Sequence, residues 1–110
     1  MKLPNRENAY IPPQKLERYL LSETHPIGRS KARFLYAFGF DQTTVNELAQ
    51  ALMAIAHTEE VREVVPSPHG IKYVIDGMLR TPSGMPVAVR TIWIVDTSQD
   101  CPRFVTAYPV

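Results

Sequence analysis

The sequence has one cysteine, Cys101, in 110 residues. A lone thiol excludes an internal disulfide, and the three histidines lie too far apart in sequence to complete a zinc-ligand pattern with it. No metal and no cofactor is expected. Long apolar runs are missing too: nothing approaches the ~20 residues that a membrane-spanning helix needs. The start, Met1-Lys2-Leu3-Pro4-Asn5-Arg6, continues into polar residues rather than a secretory apolar core. The chain as given is therefore expected to be cytoplasmic and to have no membrane partner. An excess of one charge is also absent, since twelve Lys and Arg stand against eleven Asp and Glu for a net charge of +1. The overall balance thus gives no push towards nucleic acid or membrane. Repeats and low-complexity tracts are absent as well.

What the chain does have is 45% hydrophobic residues, enough for an ordinary core. Its length fits one domain over residues 1–110. Charge is unevenly spread. Residues 1–40 hold seven Lys and Arg against three Glu, whereas residues 41–70 hold one Arg against five acids. Ten prolines fall at the boundaries of expected elements and act as punctuation.

Leu16, Tyr19 and Leu20 follow Pro12 and Pro13 at helical spacing, which predicts a short amphipathic helix ending near Ser22. A connecting loop over residues 24–30 follows, because Pro26 biases His25 towards extended geometry and Gly28 loosens the backbone. A second helix is expected from residue 30 or 31 to 38, stopped by Gly39. Thr44 and Glu47 have capping-box spacing, and Val45, Leu48, Ala49, Leu52, Ile55 and Ala56 mark the buried stripe of a third helix. After Ala56 the period changes. Segments 61–65, 71–79, 87–95 and 104–108 are rich in β-branched and aromatic residues, with Pro, Gly, Ser and Asp between them. The expected fold is α+β, with about three N-terminal helices packed on a four-stranded antiparallel sheet. In the third strand Val87, Val89, Thr91, Trp93 and Val95 face one way and Ala88, Arg90, Ile92 and Ile94 the other. Arg90 must therefore reach solvent, a partner or a ligand.

Several strings form a recognisable set: Lys15-Leu16 with Tyr19-Leu20-Leu21-Ser22, His25-Pro26-Ile27-Gly28-Arg29-Ser30-Lys31-Ala32, Gly39-Phe40, Arg90-Thr91-Ile92-Trp93 and Phe104-Val105-Thr106-Ala107-Tyr108-Pro109. Together they resemble a bacterial domain family of unknown function, found as short proteins and, in related form, at the C-termini of polymorphic toxins. The His-Pro-x-Gly-x-x-Lys-Ala string is the most specific part, and Phe34-Leu35 departs from an expected aromatic pair. The order of helices then sheet is also similar to the barnase, EndoU, colicin and RelE group of ribonucleases. The resemblance implies a metal-independent ribonuclease toxin acting on RNA such as tRNA or mRNA, neutralised by a small antitoxin or immunity protein.

Cleaving RNA without a metal uses the substrate's 2′-hydroxyl as nucleophile, so the protein must supply proton transfer and cations. His25 is the first choice for the proton, because imidazole exchanges protons near neutral pH. Lys31 and Arg29 bring charge to a helix start, and Arg90 brings charge from the sheet. Thr106 and Tyr108 alternate onto one face of the last strand, offering a hydroxyl and a stacking ring, and Thr91 beside Arg90 is a further substrate contact. Each residue also suits a plainer role: His25 bonded within its loop, Lys31 and Arg29 solvated, Arg90 paired with Asp76, Thr106 and Tyr108 as ordinary strand residues, Trp93 in the core. His57, His69 and Cys101 are assigned no function. A non-catalytic binding module, such as an antitoxin, immunity protein or adaptor, is the competing reading, and an inactive relative of a toxin fold is a third.

Overall fold

A computed structural model describes residues 1–22, 24, 25 and 28–110. The expected bias of Pro26 on its loop lies outside the described residues.

Pro13 opens a single α-turn, α1 (Pro13–Lys15), as its fixed φ allows at a first helical position. The chain then widens into a π-helical segment, Leu16–Leu20, closed by the Leu21 N–H on the Leu16 carbonyl at 2.8 Å. A plain amphipathic helix was expected here. The wider turn lets Leu16, Leu20 and Leu21 all bury while Tyr19 stays at the rim. The second helix, α2 (Arg29–Ala37), stops at Gly39, whose φ of 95° suits a residue without Cβ. The Phe40 and Gly39 N–H groups return to the carbonyls of Leu35 and Tyr36, and buried Phe40 and Leu35 complete this helix stop.

The third helix, α3 (Val45–Thr58), buries Leu48, Leu52, Ile55 and Ala56 against the sheet, as the stripe predicts. Its capping box does not form. Thr44 Oγ1 instead accepts the Asp41 N–H at 2.8 Å, and Asp41 Oδ1 accepts the Thr43 N–H at 2.7 Å and the Thr43 hydroxyl. The donors of that tight turn hold the Asp41 carboxyl below the usual carboxylate range, the Thr43 hydroxyl most of all.

Four antiparallel strands follow in meander order: β1 (Glu63–Ser67), β2 (Gly70–Leu79), β3 (Val87–Asp96) and β4 (Arg103–Pro109). The fold is α+β, three helices followed by this sheet. Val89, Thr91 and Trp93 on β3 face the helices, and the core runs in one cluster from Leu3 to Ala107. Trp93 is fully buried and donates its indole N–H to Thr91 Oγ1 at 2.9 Å, while the Thr91 hydroxyl donates to the Ile75 carbonyl at 2.7 Å. The N-terminal segment ties the two outer strands to the core. Val61 donates to the Met1 carbonyl, Tyr10 bridges Arg103 in parallel, and Leu3 between them is fully buried. No described helix is long and apolar enough to cross a membrane.

Candidate functional site

The site grows from one close approach. A Cβ built on Gly28 would lie 2.1 Å from the Tyr19 carbonyl oxygen, so only glycine lets the start of α2 dock on the π-helical segment. That contact brings the ends of the histidine-bearing connection together. The Gly28 N–H donates to His25 Nδ1 at 3.0 Å, and the Arg29 N–H donates to the His25 carbonyl at 3.0 Å. With Nδ1 accepting, the neutral imidazole carries its proton on Nε2. The ring stands edge-on to Tyr19, with centroids 5.1 Å apart and planes at 85°.

Tyr19 is the hub. Its hydroxyl lies 3.1 Å from Thr106 Oγ1 on β4, and the ammonium groups of Lys15 and Lys31 lie 5.2 and 5.6 Å from its ring centroid. Three sequence-predicted residues, His25, Lys31 and Thr106, are thus gathered by a residue read in the sequence only as part of a helix stripe and a resemblance string. A signal for it existed in the four-residue spacing of Lys15 and Tyr19, which puts both on one helical face.

The sheet register decides the rest. Thr106 pairs with Ile92 and Tyr108 with Arg90, so Thr106, Tyr108 and Arg90 share the face turned away from the helix-packed core. Tyr108 is 36% exposed on the edge strand of the sheet. Arg90 has a partner already: Asp76, opposite it on β2, accepts from Nε at 2.8 Å and Nη2 at 3.0 Å, and Arg62 approaches the same carboxylate at 3.7 Å. This fork lowers the Asp76 pKa and raises that of Arg90, with desolvation opposing both. Arg29 is exposed at the first position of α2.

Thr91 does not belong to the site. It is fully buried with its hydroxyl engaged on both sides by Ile75 and Trp93, so the expectation that it touches substrate fails. Its face of β3 is the one that packs on the helices. Among the described residues no group of three or more His, Cys, Asp or Glu side chains is arranged to hold a metal ion.

A family model described as a domain of unknown function, DUF6883, matches residues 2–110. The chain belongs to this family. No curated protein matches it. Among solved structures, a chain of a contact-dependent growth inhibition toxin–immunity protein complex from Klebsiella pneumoniae 342 is similar, with a TM-score of 0.72 and 16% identity over 94% of this chain and 95% of that one. At that identity the likeness is one of fold. The DUF6883 chain therefore shares an architecture with a component of a toxin–immunity pair, and the chemistry has to come from its own side chains.

Proposed function

We propose that this DUF6883 protein is a metal-independent ribonuclease of the toxin type, cleaving RNA by attack of the 2′-hydroxyl on the adjacent phosphate and neutralised by a small partner protein. The supporting observation is the assembly centred on Tyr19, in which His25, Lys31 and the Thr106 hydroxyl belong to one connected cluster at the edge strand of the sheet. In this reaction the 2′-hydroxyl gives up its proton to water as its oxygen bonds to phosphorus, the 5′-oxygen departs and takes up a proton from water, and a 2′,3′-cyclic phosphate remains.

Negative charge accumulates on the phosphoryl oxygens as the bond forms, so donors and cations fixed in advance lower the barrier. His25 stands edge-on to the Tyr19 ring, and Lys31 holds an ammonium beside the same ring. The Gly28 N–H on Nδ1 holds the orientation of the imidazole beside that ring. Thr106 orients the phosphate, and Tyr108 offers a face for a base. Arg90, its fork committed to Asp76, fixes the strand opposite Tyr108, and Arg29 adds charge at the helix start. The fold shared with a component of a toxin–immunity complex supports the inhibitor half of the reading.

The test is incubation of the purified protein with total RNA in EDTA beside His25→Ala and Lys31→Ala. Fragments ending in 2′,3′-cyclic phosphate are expected from the wild type, with each variant slower by roughly 10²-fold or more, as for the loss of one preorganised donor. Intact RNA in the wild-type reaction would return the chain to the class of non-catalytic binding modules.

A further inference from the structure

Two ammonium groups approach one ring. Lys15 comes from the end of α1 and Lys31 from the first turn of α2, and both reach Tyr19. Some cations of the fold are neutralised in place: Arg62 and Arg90 by Asp76, Arg103 by Asp96, Lys2 by Glu60. Among the described residues, Lys15 and Lys31 have no carboxylate within 4 Å. Two like charges within about 6 Å of one ring centroid repel each other, and an anion that both can reach relieves that repulsion while keeping the attraction to the ring.

We infer that Lys15 and Lys31, held on the Tyr19 ring, form a seat for a backbone phosphate of single-stranded RNA adjacent to the phosphate that is cleaved. The inference rests on the ribonuclease reading for the identity of the polymer. The ring is fixed from both sides, by the bond of its hydroxyl to Thr106 and by the Gly28 backbone against its carbonyl, so the seat is built before any ligand arrives. Cations beside the partly exposed Tyr19 ring suit a nucleotide, whose phosphate and base engage the two together, whereas an acidic peptide has no use for the ring.

The probe is a fluorescent single-stranded 2′-O-methyl RNA, which lacks the attacking hydroxyl, titrated at several salt concentrations. Lys15→Ala should weaken its binding roughly fivefold or more at low salt and reduce the slope of log K against log[salt] by about 0.7, the value for one phosphate of a single strand. Lys15→Arg, keeping the charge, should recover most of the affinity. Inorganic phosphate at the same phosphate concentration should fail to displace the probe, and displacement would overturn the polymer in favour of a free anion. Equal binding and equal salt slope for wild type and Lys15→Ala would also overturn the inference and leave the lysine pair to an acidic protein partner. Failure of the enzyme reading looks different. There the probe binds with the expected dependence on Lys15, while unmodified RNA stays intact.

Discussion

Gly28 is the residue on which the candidate site is most sharply dependent, because a methyl group there would collide with backbone rather than with a side chain that can rotate away. Gly28→Ala is expected to destabilise the fold by about 1–3 kcal/mol, the usual range for overpacking, and, on the proposed ribonuclease reading, to abolish cleavage by undocking His25 from Tyr19. Thermal denaturation and the RNA assay check the two halves separately. Tyr19→Phe keeps the ring and removes only the bond to Thr106, so about 1 kcal/mol of stability should be lost with the lysine contacts intact. At Asp76 the expectation concerns pH. Hydrogen bonding from Arg90 holds this carboxyl below its ordinary value, as Arg103 does for Asp96. A depressed folded pKa stabilises above the ordinary value of about 3.9 and ceases to as pH falls through the depressed one. Wild type should therefore lose stability below about pH 4, and Asp76→Asn, which has no charge to lose, should lose less. Urea midpoints at pH 7 and pH 3 give the comparison, and equal losses in the two proteins would show that the pair adds nothing.

At the scale of the element, β3 carries the clearest division of labour. Its inner face holds Thr91 and Trp93 in a closed polar pair inside the core, and its outer face holds Arg90 in a fork with Asp76. Thr91→Val would strand the buried indole N–H, which is expected to cost about 1–3 kcal/mol. Trp93→Phe in the same background should then cost less than it does alone, a coupling that a double-mutant cycle measures by chemical denaturation. Strand β4 adds an irregularity that simple alternation misses. A register shift opposite Ile92 and Trp93 leaves Val105 as the extra residue, so Phe104 packs on Trp93 in the core while Thr106 and Tyr108 turn outward. By strict period-two counting Phe104 and Thr106 would share a face. The π-helical turn at Leu16–Leu20 does the same for the first helix, burying three leucines and leaving Tyr19 to organise the site.

For the whole molecule, the N-terminal segment closes the fold by lying along the chain ends of both outer strands, with Leu3 at the centre of that crossing. Leu3→Ala is expected to cost about 2–5 kcal/mol, as for other large-to-small changes in cores, and to loosen β1 and β4 together in hydrogen exchange. Much of the architecture was legible in the residues themselves. The α3 stripe, the glycine stop after α2 and the four β-rich segments follow from local periodicity and backbone preference, which tertiary contacts here reinforce rather than override. The failure of the capping box was not legible, because it comes from the Asp41 N–H taking the Thr44 hydroxyl oxygen that would cap the helix. The membership of the site was legible in part. Residue types and spacing single out His25, Lys31, Thr106 and Tyr108, but they also single out Thr91, and only packing shows that its hydroxyl is enclosed. Which strand face looks outward, which cation already has a carboxylate and which ring gathers the rest depend on contacts between residues up to 87 positions apart. Sequence sets what each segment prefers on its own; such long-range juxtapositions exist only once the helices and the sheet have packed, and they decide where the chemistry can be.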